Sequence, residues 1–361
     1  MAVTDDELAP TLDREPRRRR PATGRVSMAA VAARAGVSGQ TVSRVVNDSP
    51  RVDPATRARV EQAMSALGYR PHRAARALRT GRSQTIGLVV TTLATVGNSR
   101  MLQATAEAAA ERGYALTLVT AGASVAEAFE RLAEQEVDGA IVLNEASALV
   151  PTADRPSGLR LVVVDAVADA GFHAVHSDHA GGAAAATRHL LSLGHEIVHH
   201  LAGPADSFAA TERERGWREA LGAAGIRPPS VVRGDWSAQS GFVAGEQLST
   251  ATAVFCANDQ MALGLLRAIA ESGREVPGDI SVVGFDDVPD AANYRPPLTT
   301  IRQDFTALAH RAVAALVADI EGDIEGDIEG DIEGDIDGDG AESSASVVPT
   351  ALIERASTRR R

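Results

Sequence analysis

From Thr85 onward, short apolar runs alternate with longer amphipathic stretches. The runs are rich in Val and Ile and predict strands: TIGLVV, YALTLVT, GAIVLN, RLVVVD, AVHSD, EIVHHLAG, SVVRGDW, AVFCAND and ISVVGFDD. The stretches between them predict helices near 99–112, 124–136, 179–193, 211–224 and 238–248, and one that ends at Ser272. Strands that alternate with helices in this way predict an α/β fold with parallel sheets and helices on both faces. Because about 270 residues are too many for one compact sheet, we expect two similar subdomains with a cleft between them.

The N-terminal part predicts three short helices instead. SMAAVAARAGVSGQTVSRVVND contains two helical patterns separated at Gly36, and Ser38 is placed to cap the second. DPATRARVEQAMSALGYRP contains the third, with Asp53 as N-cap, Pro54 in the first turn and Gly68 after the last. Two short helices joined by a tight turn fit a helix-turn-helix, although Ala-rich helix pairs also occur in plain bundles.

Charge is segregated along the chain. The net charge is -12, but residues 1–82 carry 16 arginines against 8 acids, whereas residues 83–318 carry 16 arginines against 27 acids. A basic N-terminal module joined to an acidic body favours a protein whose N-terminal end binds nucleic acid.

Cysteine content and hydropathy favour the cytoplasm. The single cysteine, Cys256, cannot form an internal disulfide, which is typical of a reducing compartment. The start, MAVTDDELAP, has no apolar segment of the signal-peptide kind, and no later run predicts a membrane span. We therefore expect a cytoplasmic protein without a membrane partner.

Two segments have no hydrophobic period. Residues 1–25 are polar and include Arg17–Arg20, which predicts a disordered arm with nonspecific affinity for phosphates. Residues 319–338 repeat DIEG, and a Gly at every fourth position opposes both helix and strand. We therefore expect an acidic loop over 319–345, between a helix that ends near Ala318 and a last strand in SVVPTALIERAS. Weak Ca²⁺ binding is an alternative, although the 12-residue ligand loop of known calcium sites is missing.

The stretch His195-Glu196-Ile197-Val198-His199 matches the H-E-x-x-H pattern of zinc proteases. That pattern works on a helix, where residues four apart share a face and lie about 6 Å apart along the axis. In a strand the same spacing is about 13 Å. The motif follows a helix that ends at Gly194 and has β-branched residues at its centre, so we expect a strand from His195 to Leu201 and no metal site. Spacing alone leaves the zinc peptidase open, because Glu219 lies at a distance that some zinc proteases use for a third ligand.

One family resemblance runs through nearly the whole chain. AAVAARAGVSGQTVSRVVND followed by RVDPATRARVEQAMSALGYRP closely resembles the DNA-binding headpiece of the lactose repressor (LacI/GalR) family of transcription regulators. GDWSAQSGF, ANDQMALG, ISVVGFDD and PPLTTIRQDF resemble the sugar-binding core of that family, and of its lactose-repressor branch in particular. The resemblance implies a headpiece over 26–71, a hinge helix over 72–82 and a periplasmic-binding-protein-like core over 83–318 and 346–357. It divides that core into one subdomain of about 83–177 with 304–318 and another of about 178–303 with 346–357.

The second helix of the headpiece carries the candidate base contacts. Gln40 and Arg44 lie four apart on its exposed face, where Gln can pair with adenine and Arg with guanine. Short polar side chains nearby suit phosphates, or alternatively cap and pack the helices: Ser27, Ser38, Thr41, Ser43 and Asn47. In the hinge, the resemblance implies that Leu78 wedges into the minor groove, which opens it to Arg73. Gly39 stands where the family usually has a larger side chain, so the operator sequence cannot be taken from a relative.

The candidate ligand residues lie where predicted strands end. Asp165, Asn258 and Asp286 follow three strands, and open α/β sheets bind ligands at those ends. The resemblance adds Asn144, Arg213, Trp236, Gln303 and Phe305. Carboxylates, a guanidinium and aromatic faces suit the hydroxyls and C–H faces of a sugar. The match is incomplete, because Asn144 is offset by one residue, TVGNSRM replaces an apolar wall, Ala209 replaces a serine and His176 replaces a phenylalanine.

The resemblance implies a homodimeric repressor that binds a near-palindromic operator and is released by a sugar effector, a galactoside or a related sugar. It implies no enzymatic activity and no cofactor. A periplasmic-type sugar-binding protein is the alternative, since it would share the core but would need a signal peptide and no headpiece. Either His199 or His200 is expected to face the core, where its burial affects stability near pH 6.

Overall fold

The computed structural model describes residues 26–46, 49–69, 81–122, 124–152, 156, 158–167, 172–329 and 345–361. These residues divide into two compact units, one that ends at Thr80 and one that begins at Gly81. The expected arm and all of the expected hinge helix before Gly81 lie outside the described residues, as do Asn47, Arg73 and Leu78. Within the described part of the chain, no helix is long and apolar enough to cross a membrane.

The N-terminal unit has the three predicted helices. They are α1 (Met28–Ala35), α2 (Gly39–Val46) and α3 (Pro54–Leu67). The turn after α1 depends on Gly36, whose φ of 65° lies in the left-handed region that side chains rarely adopt. Val31, Val42 and Val60, one from each helix, are fully buried and form the core of this small unit.

The C-terminal unit contains two six-stranded sheets. The first has the order β11-β5-β4-β3-β1-β2 and is parallel throughout, and the second has the order β12-β10-β9-β8-β6-β7 with only β12 antiparallel. The strands of the first sheet are β1 (Thr85–Val90), β2 (Ala115–Thr120), β3 (Gly139–Leu143), β4 (Arg160–Val164), β5 (His173–Ser177) and β11 (Ala345–Val348). Those of the second are β6 (His199–Ala202), β7 (Val232–Arg233), β8 (Ala253–Cys256), β9 (Ser281–Asp286), β10 (Thr299–Arg302) and β12 (Ala351–Ile353). The predicted pair of parallel-sheet subdomains is confirmed.

Helices cover both faces of each sheet. On the first sheet they are α4 (Val96–Glu111), α5 (Val125–Glu134) and α10 (Phe305–Glu329), and on the second α6 (His179–Ser192), α7 (Phe208–Ala223), α8 (Ala238–Ala244) and α9 (Asp259–Glu271). Short 3₁₀ helices span Asn144–Thr152 and Pro289–Asn293. Successive strand residues belong to opposite cores: Leu88 and Val89 in the first sheet, Val254 and Phe255 in the second. Burial on both faces explains why the strands are almost continuously apolar.

The C-terminal strand prediction is wrong in part. Residues 346–348 belong to β11, which pairs with β5 of the first sheet, so the second subdomain receives only the residues after them. Pro349 lacks an N–H and cannot continue the ladder, and β12 then pairs with β10 of the second sheet. The chain therefore crosses between the sheets here as well as after β5 and after β10.

The prediction of a loop from residue 319 is also wrong at its start. Helix α10 continues through the first units of the repeat and ends at Glu329. Ile320 is only 5% exposed in the core of the first subdomain. Packing of Ile320 stabilises the helix beyond Ala318, and each further residue adds one hydrogen bond to an existing helix, which outweighs the low propensity of Gly322. Residues 330–344 lie outside the described residues.

Candidate functional site

The exposed face of α2 carries the two predicted base-reading side chains. Gln40 and Arg44 are exposed one turn apart, while Val42 and Val45 of the same helix are buried. This geometry leaves both long polar side chains on the surface, as a helix that enters a major groove requires.

The predicted phosphate-contacting hydroxyls also cap helices. Ser27 Oγ accepts a hydrogen bond from Ala30 N at 3.2 Å, at the start of α1. Ser38 Oγ accepts one from Thr41 N at 3.1 Å and lies 2.9 Å from Thr41 Oγ1. Ser43 is half-buried in α2. The sequence allows two roles for these hydroxyls, a phosphate contact or helix capping. Capping is compatible with a phosphate contact because a hydroxyl can both donate and accept hydrogen bonds.

A cavity of about 50 Å³ lies between the two sheets. All eight predicted ligand residues line it: Asn144, Asp165, Arg213, Trp236, Asn258, Asp286, Gln303 and Phe305. The remaining lining residues are Thr95, Gly97, Met101, Glu145, Ala209, Gln260 and Leu308. Glu145 and Gln260 were not predicted. Each lies one or two positions after a predicted residue, Asn144 or Asn258.

Local backbone geometry turns four of these side chains into the cavity. Asn144, Asp165, Trp236 and Asp286 have φ angles of 49°, 58°, 73° and 113°, all in a region that non-glycine residues rarely adopt. Asn144, Asp165 and Asp286 lie at the carboxyl ends of β3, β4 and β9. Unusual backbone angles concentrated at one cavity are typical of a binding site.

Arg213, on α7, is the buried cation of the cavity. Its Nε and Nη2 both lie 3.3 Å from His179 Nδ1, and Nη1 donates to Ala257 O at 2.5 Å. Nη2 also lies 3.6 Å from a carboxylate oxygen of Asp286, and the guanidinium carbon is 3.9 Å from the centre of the Phe285 ring. A guanidinium stacked and bonded in this way has one fixed orientation.

The two aspartates of the cavity differ in acidity. Burial alone would raise the pKa of Asp165, but His179, 2.8 Å away, and Arg213 together hold that pKa below its usual value. Burial raises the pKa of Asp286 and prevails over the opposing effects of Arg213 and of Gln303, whose Nε2 donates to Asp286 Oδ1 at 2.6 Å. Asp165 is thus the more strongly ionised acceptor for a ligand hydroxyl.

Trp236 and Phe305 form the aromatic wall of the cavity, and neighbouring residues fix their positions. Asn258 Oδ1 accepts from Met261 N at 2.9 Å and caps α9, while its Nδ2 donates to Trp236 O at 3.0 Å. A Cβ atom at Gly203 would lie 2.3 Å from the Trp236 ring, so only glycine allows this position of the indole. Phe305 is covered by the Arg100 guanidinium, 4.7 Å from its ring centre.

The sequence patterns did not indicate His179, a neighbour of two cavity residues. His179 is 2% exposed and contacts both Asp165 and Arg213, yet it lies behind the cavity wall. Its position at the start of a helix gave no signal, because such residues usually serve only as caps. His176, the replacement for a phenylalanine, is half-buried and packs edge-on against Phe208 with ring centres 5.4 Å apart.

The H-E-x-x-H stretch does not form a helix. The strand begins at His199 rather than at His195, which corrects the predicted boundary, because residues 195–198 form the loop after α6. His195 Nε2 lies 3.0 Å from Ser281 Oγ. Within the described ranges, no group of three or more His, Cys, Asp or Glu side chains could hold a metal ion.

His200, and not His199, is the histidine that faces the core; the sequence left both possibilities open. Its side chain is fully buried and stacks on Phe255 with ring centres 4.7 Å apart. Nδ1 lies 2.9 Å from Phe255 O, and Nε2 has no hydrogen-bond partner among the described residues. Burial lowers the pKa of His200 to about 4.

Similarity to known proteins extends over both units. The family model for bacterial regulatory proteins of the lacI family matches residues 27–72, and that for periplasmic binding protein-like domains matches residues 187–358. The lactose operon repressor of Escherichia coli (strain K12) is 38% identical over 303 residues, which cover 81% of this chain and 84% of that protein. A solved lac repressor dimer bound to operator and the anti-inducer ONPF is 34% identical, with a TM-score of 0.77 and coverage of 93% of this chain and 100% of that chain. A CelR–cellobiose complex is 33% identical, with a TM-score of 0.67 and coverage of 92% and 100%.

Proposed function

Because the chain belongs to the lacI family of bacterial regulatory proteins, we propose that it represses transcription until a sugar binds between its two core subdomains. The chain is a DNA-binding transcriptional regulator and not an enzyme. Its headpiece reads base edges through Gln40 and Arg44 and contacts phosphates through the hydroxyls at the starts of α1 and α2.

One observation carries the effector proposal: eight polar and aromatic side chains from both subdomains meet in a single cavity. Asp165, Asp286 and Arg213 provide charged acceptors and donors for hydroxyls, and Trp236 provides an apolar face for the sugar ring. The related structures bind ONPF and cellobiose. We infer a galactoside or a related sugar as the effector. The charged residues of the pocket match the lactose-repressor branch, which favours a galactoside. The small and apolar walls of the pocket differ from that branch, which favours a related sugar.

The effector acts through the arrangement of the two subdomains. Hydrogen bonds already join the two sides of the cleft: Val96 N donates to Gln260 Oε1 at 3.1 Å, and Arg100 Nη1 donates to Asp287 O at 3.3 Å. A sugar that contacts Asp165 on one side and Arg213 on the other favours the arrangement that brings both to it. Since operator DNA favours a different arrangement, DNA and sugar weaken each other's binding by the same factor.

The repressor acts as a dimer in the cytoplasm. Two headpieces related by a twofold axis read the two halves of a near-palindromic operator. The related operator complex is a dimer, and a DNA target supports a location in the cytoplasm. In the hinge, whose residues 72–80 lie outside the described residues, Leu78 and Arg73 are proposed to enter the minor groove.

Gel-shift titrations of the DNA upstream of the gene test this function. The full chain should retain one palindromic fragment at moderate salt, and one sugar from a panel of galactosides, glucosides and disaccharides should release it. A chain that binds sugar but shifts no specific fragment would instead be a sugar-binding protein without a regulatory role. Failure of every sugar to release a specific complex would contradict the effector assignment while leaving DNA recognition intact.

A further inference from the structure

His179 lies behind the wall of the cavity, at a crossing between the subdomains. It is the first residue of α6, whose N-cap Asp178 accepts a hydrogen bond from Gly181 N at 2.8 Å through Oδ1. Asp178 N also donates to Val348 O at 2.7 Å, and Thr350 Oγ1 donates to Asp178 O at 3.2 Å. The start of α6 is therefore fixed to the neighbouring crossing between β11 and β12.

The contacts of His179 define a hydrogen-bond chain with one direction. Arg213 has only donors, so His179 Nδ1, 3.3 Å from its Nε and Nη2, must accept. The imidazole proton then resides on Nε2 and is donated to Asp165 Oδ1 at 2.8 Å. The chain begins on α7 of the second subdomain and ends at the carboxyl end of β4 in the first.

We propose that His179 is a positioning residue for effector recognition, because it joins two of the charged ligand contacts of the cleft, Arg213 and Asp165, into one hydrogen-bonded unit. This inference rests on the proposed function of the cavity. In the arrangement of subdomains seen here, His179 fixes the carboxylate and the guanidinium in the orientation that a sugar meets. Asp165 loses that orientation when the subdomains separate, so the same chain favours the effector-binding arrangement.

The packing around His179 supports a fixed geometry. A Cβ atom at Gly216 would lie 2.0 Å from Ala180 O, so α6 and α7 approach each other as closely as glycine permits, next to both His179 and Arg213. The imidazole also lies between Phe285 and Phe208, with ring centres 6.0 and 6.3 Å away. This cage restricts rotation of the ring and keeps Nδ1 directed at Arg213.

Three substitutions separate the two bonds of the chain. His179→Ala removes both, His179→Asn retains an acceptor near the position of Nδ1, and His179→Gln retains a donor near the position of Nε2. His189→Asn is the matched control, because His189 lies on the same helix but contacts Thr358 Oγ1, at 3.1 Å, outside the cleft. Affinities for ONPG, lactose and cellobiose are measured on the full chain by calorimetry, together with operator affinity in the absence of sugar.

For the sugar that binds the wild type, His179→Ala should raise Kd at least tenfold, whereas His179→Asn and His179→Gln should each recover part of the loss. Operator affinity without sugar should not fall, because loss of the chain favours the DNA-binding arrangement, and His189→Asn should leave both affinities within twofold. In an Asp165→Ala background, His179→Ala should add less than threefold. Sugar affinity unchanged by His179→Ala, or full additivity with Asp165→Ala, would overturn the inference.

A second measurement decides the inference without any sugar. Imidazole ¹⁵N spectra of histidine-labelled protein, assigned through His179→Asn, should show an Nε2–H tautomer with Nδ1 as acceptor, and Arg213→Ala should shift the Nδ1 resonance. An Nδ1–H tautomer, or no response to Arg213→Ala, would overturn the assignment of His179. If none of the three sugars binds the wild type while these spectra are as expected, the proposed effector class fails and the hydrogen-bond chain stands.

Discussion

Acid should destabilise the protein through His200, and His200→Phe should remove that sensitivity. The imidazole is fully buried, stacked on Phe255 and 5.3 Å from the Trp217 ring centre, so a phenyl ring fits the same space. Burial lowers the pKa of His200 from its ordinary value near 6.5 to about 4. As the pH falls from 6.5 to 4, the unfolded chain therefore binds a proton that the folded chain does not, and unfolding becomes more favourable.

The magnitude follows from the pKa difference. A lowering of the pKa from 6.5 to about 4 corresponds to about 3 kcal/mol of stability. The folded protein has this stability above pH 6.5 and has lost it below pH 4. At pH 8, His200→Phe removes the hydrogen bond to Phe255 O but also removes the unpartnered Nε2. These two effects are each about 1 kcal/mol and oppose each other, so stability at pH 8 should change by less than about 1 kcal/mol.

Urea unfolding of the full chain at pH 8, 6.5, 5.5 and 4.5, followed by tryptophan fluorescence, measures this difference. The variant should gain stability relative to the wild type as the pH falls, by about 2 to 3 kcal/mol between pH 8 and 4.5. His199→Phe is the control, because the neighbouring imidazole is only half-buried and its pKa is lowered less. A constant difference between wild type and His200→Phe at all four pH values would refute the reasoning.

Four further substitutions test separate parts of the structure. Arg44→Ala should cost about 1 to 3 kcal/mol of specific operator affinity, while nonspecific binding and its dependence on salt persist in gel shifts. Ala209→Ser adds a hydroxyl to the cavity wall where Ala209 is 8% exposed, and should strengthen galactoside binding up to about fivefold, about 1 kcal/mol, in calorimetry. Gly216→Ala should destabilise by about 1 to 3 kcal/mol, because its Cβ would lie 2.0 Å from Ala180 O. Gly222→Ala, on the same helix with nothing within 4 Å of its Cβ, should instead stabilise by about 0.5 to 1 kcal/mol in urea unfolding.

Local sequence patterns were sufficient for most of the architecture. Strands such as TIGLVV are buried on both faces, so continuous apolar runs marked them, and β1 spans Thr85–Val90 as predicted. Asp165 and Asp286 were found because parallel strands place their carboxyl ends at one edge of the sheet. The residues added by resemblance, such as Arg213 and Trp236, line the same cavity.

The errors arose where tertiary contacts decide the structure. β11 was assigned to the wrong sheet because its partner, β5, is 171 residues away in sequence, and no local pattern specifies that pairing. Helix α10 continues past Ala318 because Ile320 is buried in the first subdomain, which propensity alone does not reveal. His179 was missed because its importance lies in two contacts behind the cavity wall, with side chains from different subdomains.

The central claim is that a sugar bound between the subdomains controls DNA binding, and Arg213→Ala tests it most directly. Operator affinity is titrated with and without the effector for the wild type, for Arg213→Ala and for Arg218→Ala, a control on the same helix whose guanidinium pairs with Glu214 at the surface. The account predicts that all three bind the operator equally well without sugar, and that sugar releases the wild type and Arg218→Ala but not Arg213→Ala. Release of Arg213→Ala at the sugar concentration that releases the wild type would contradict it.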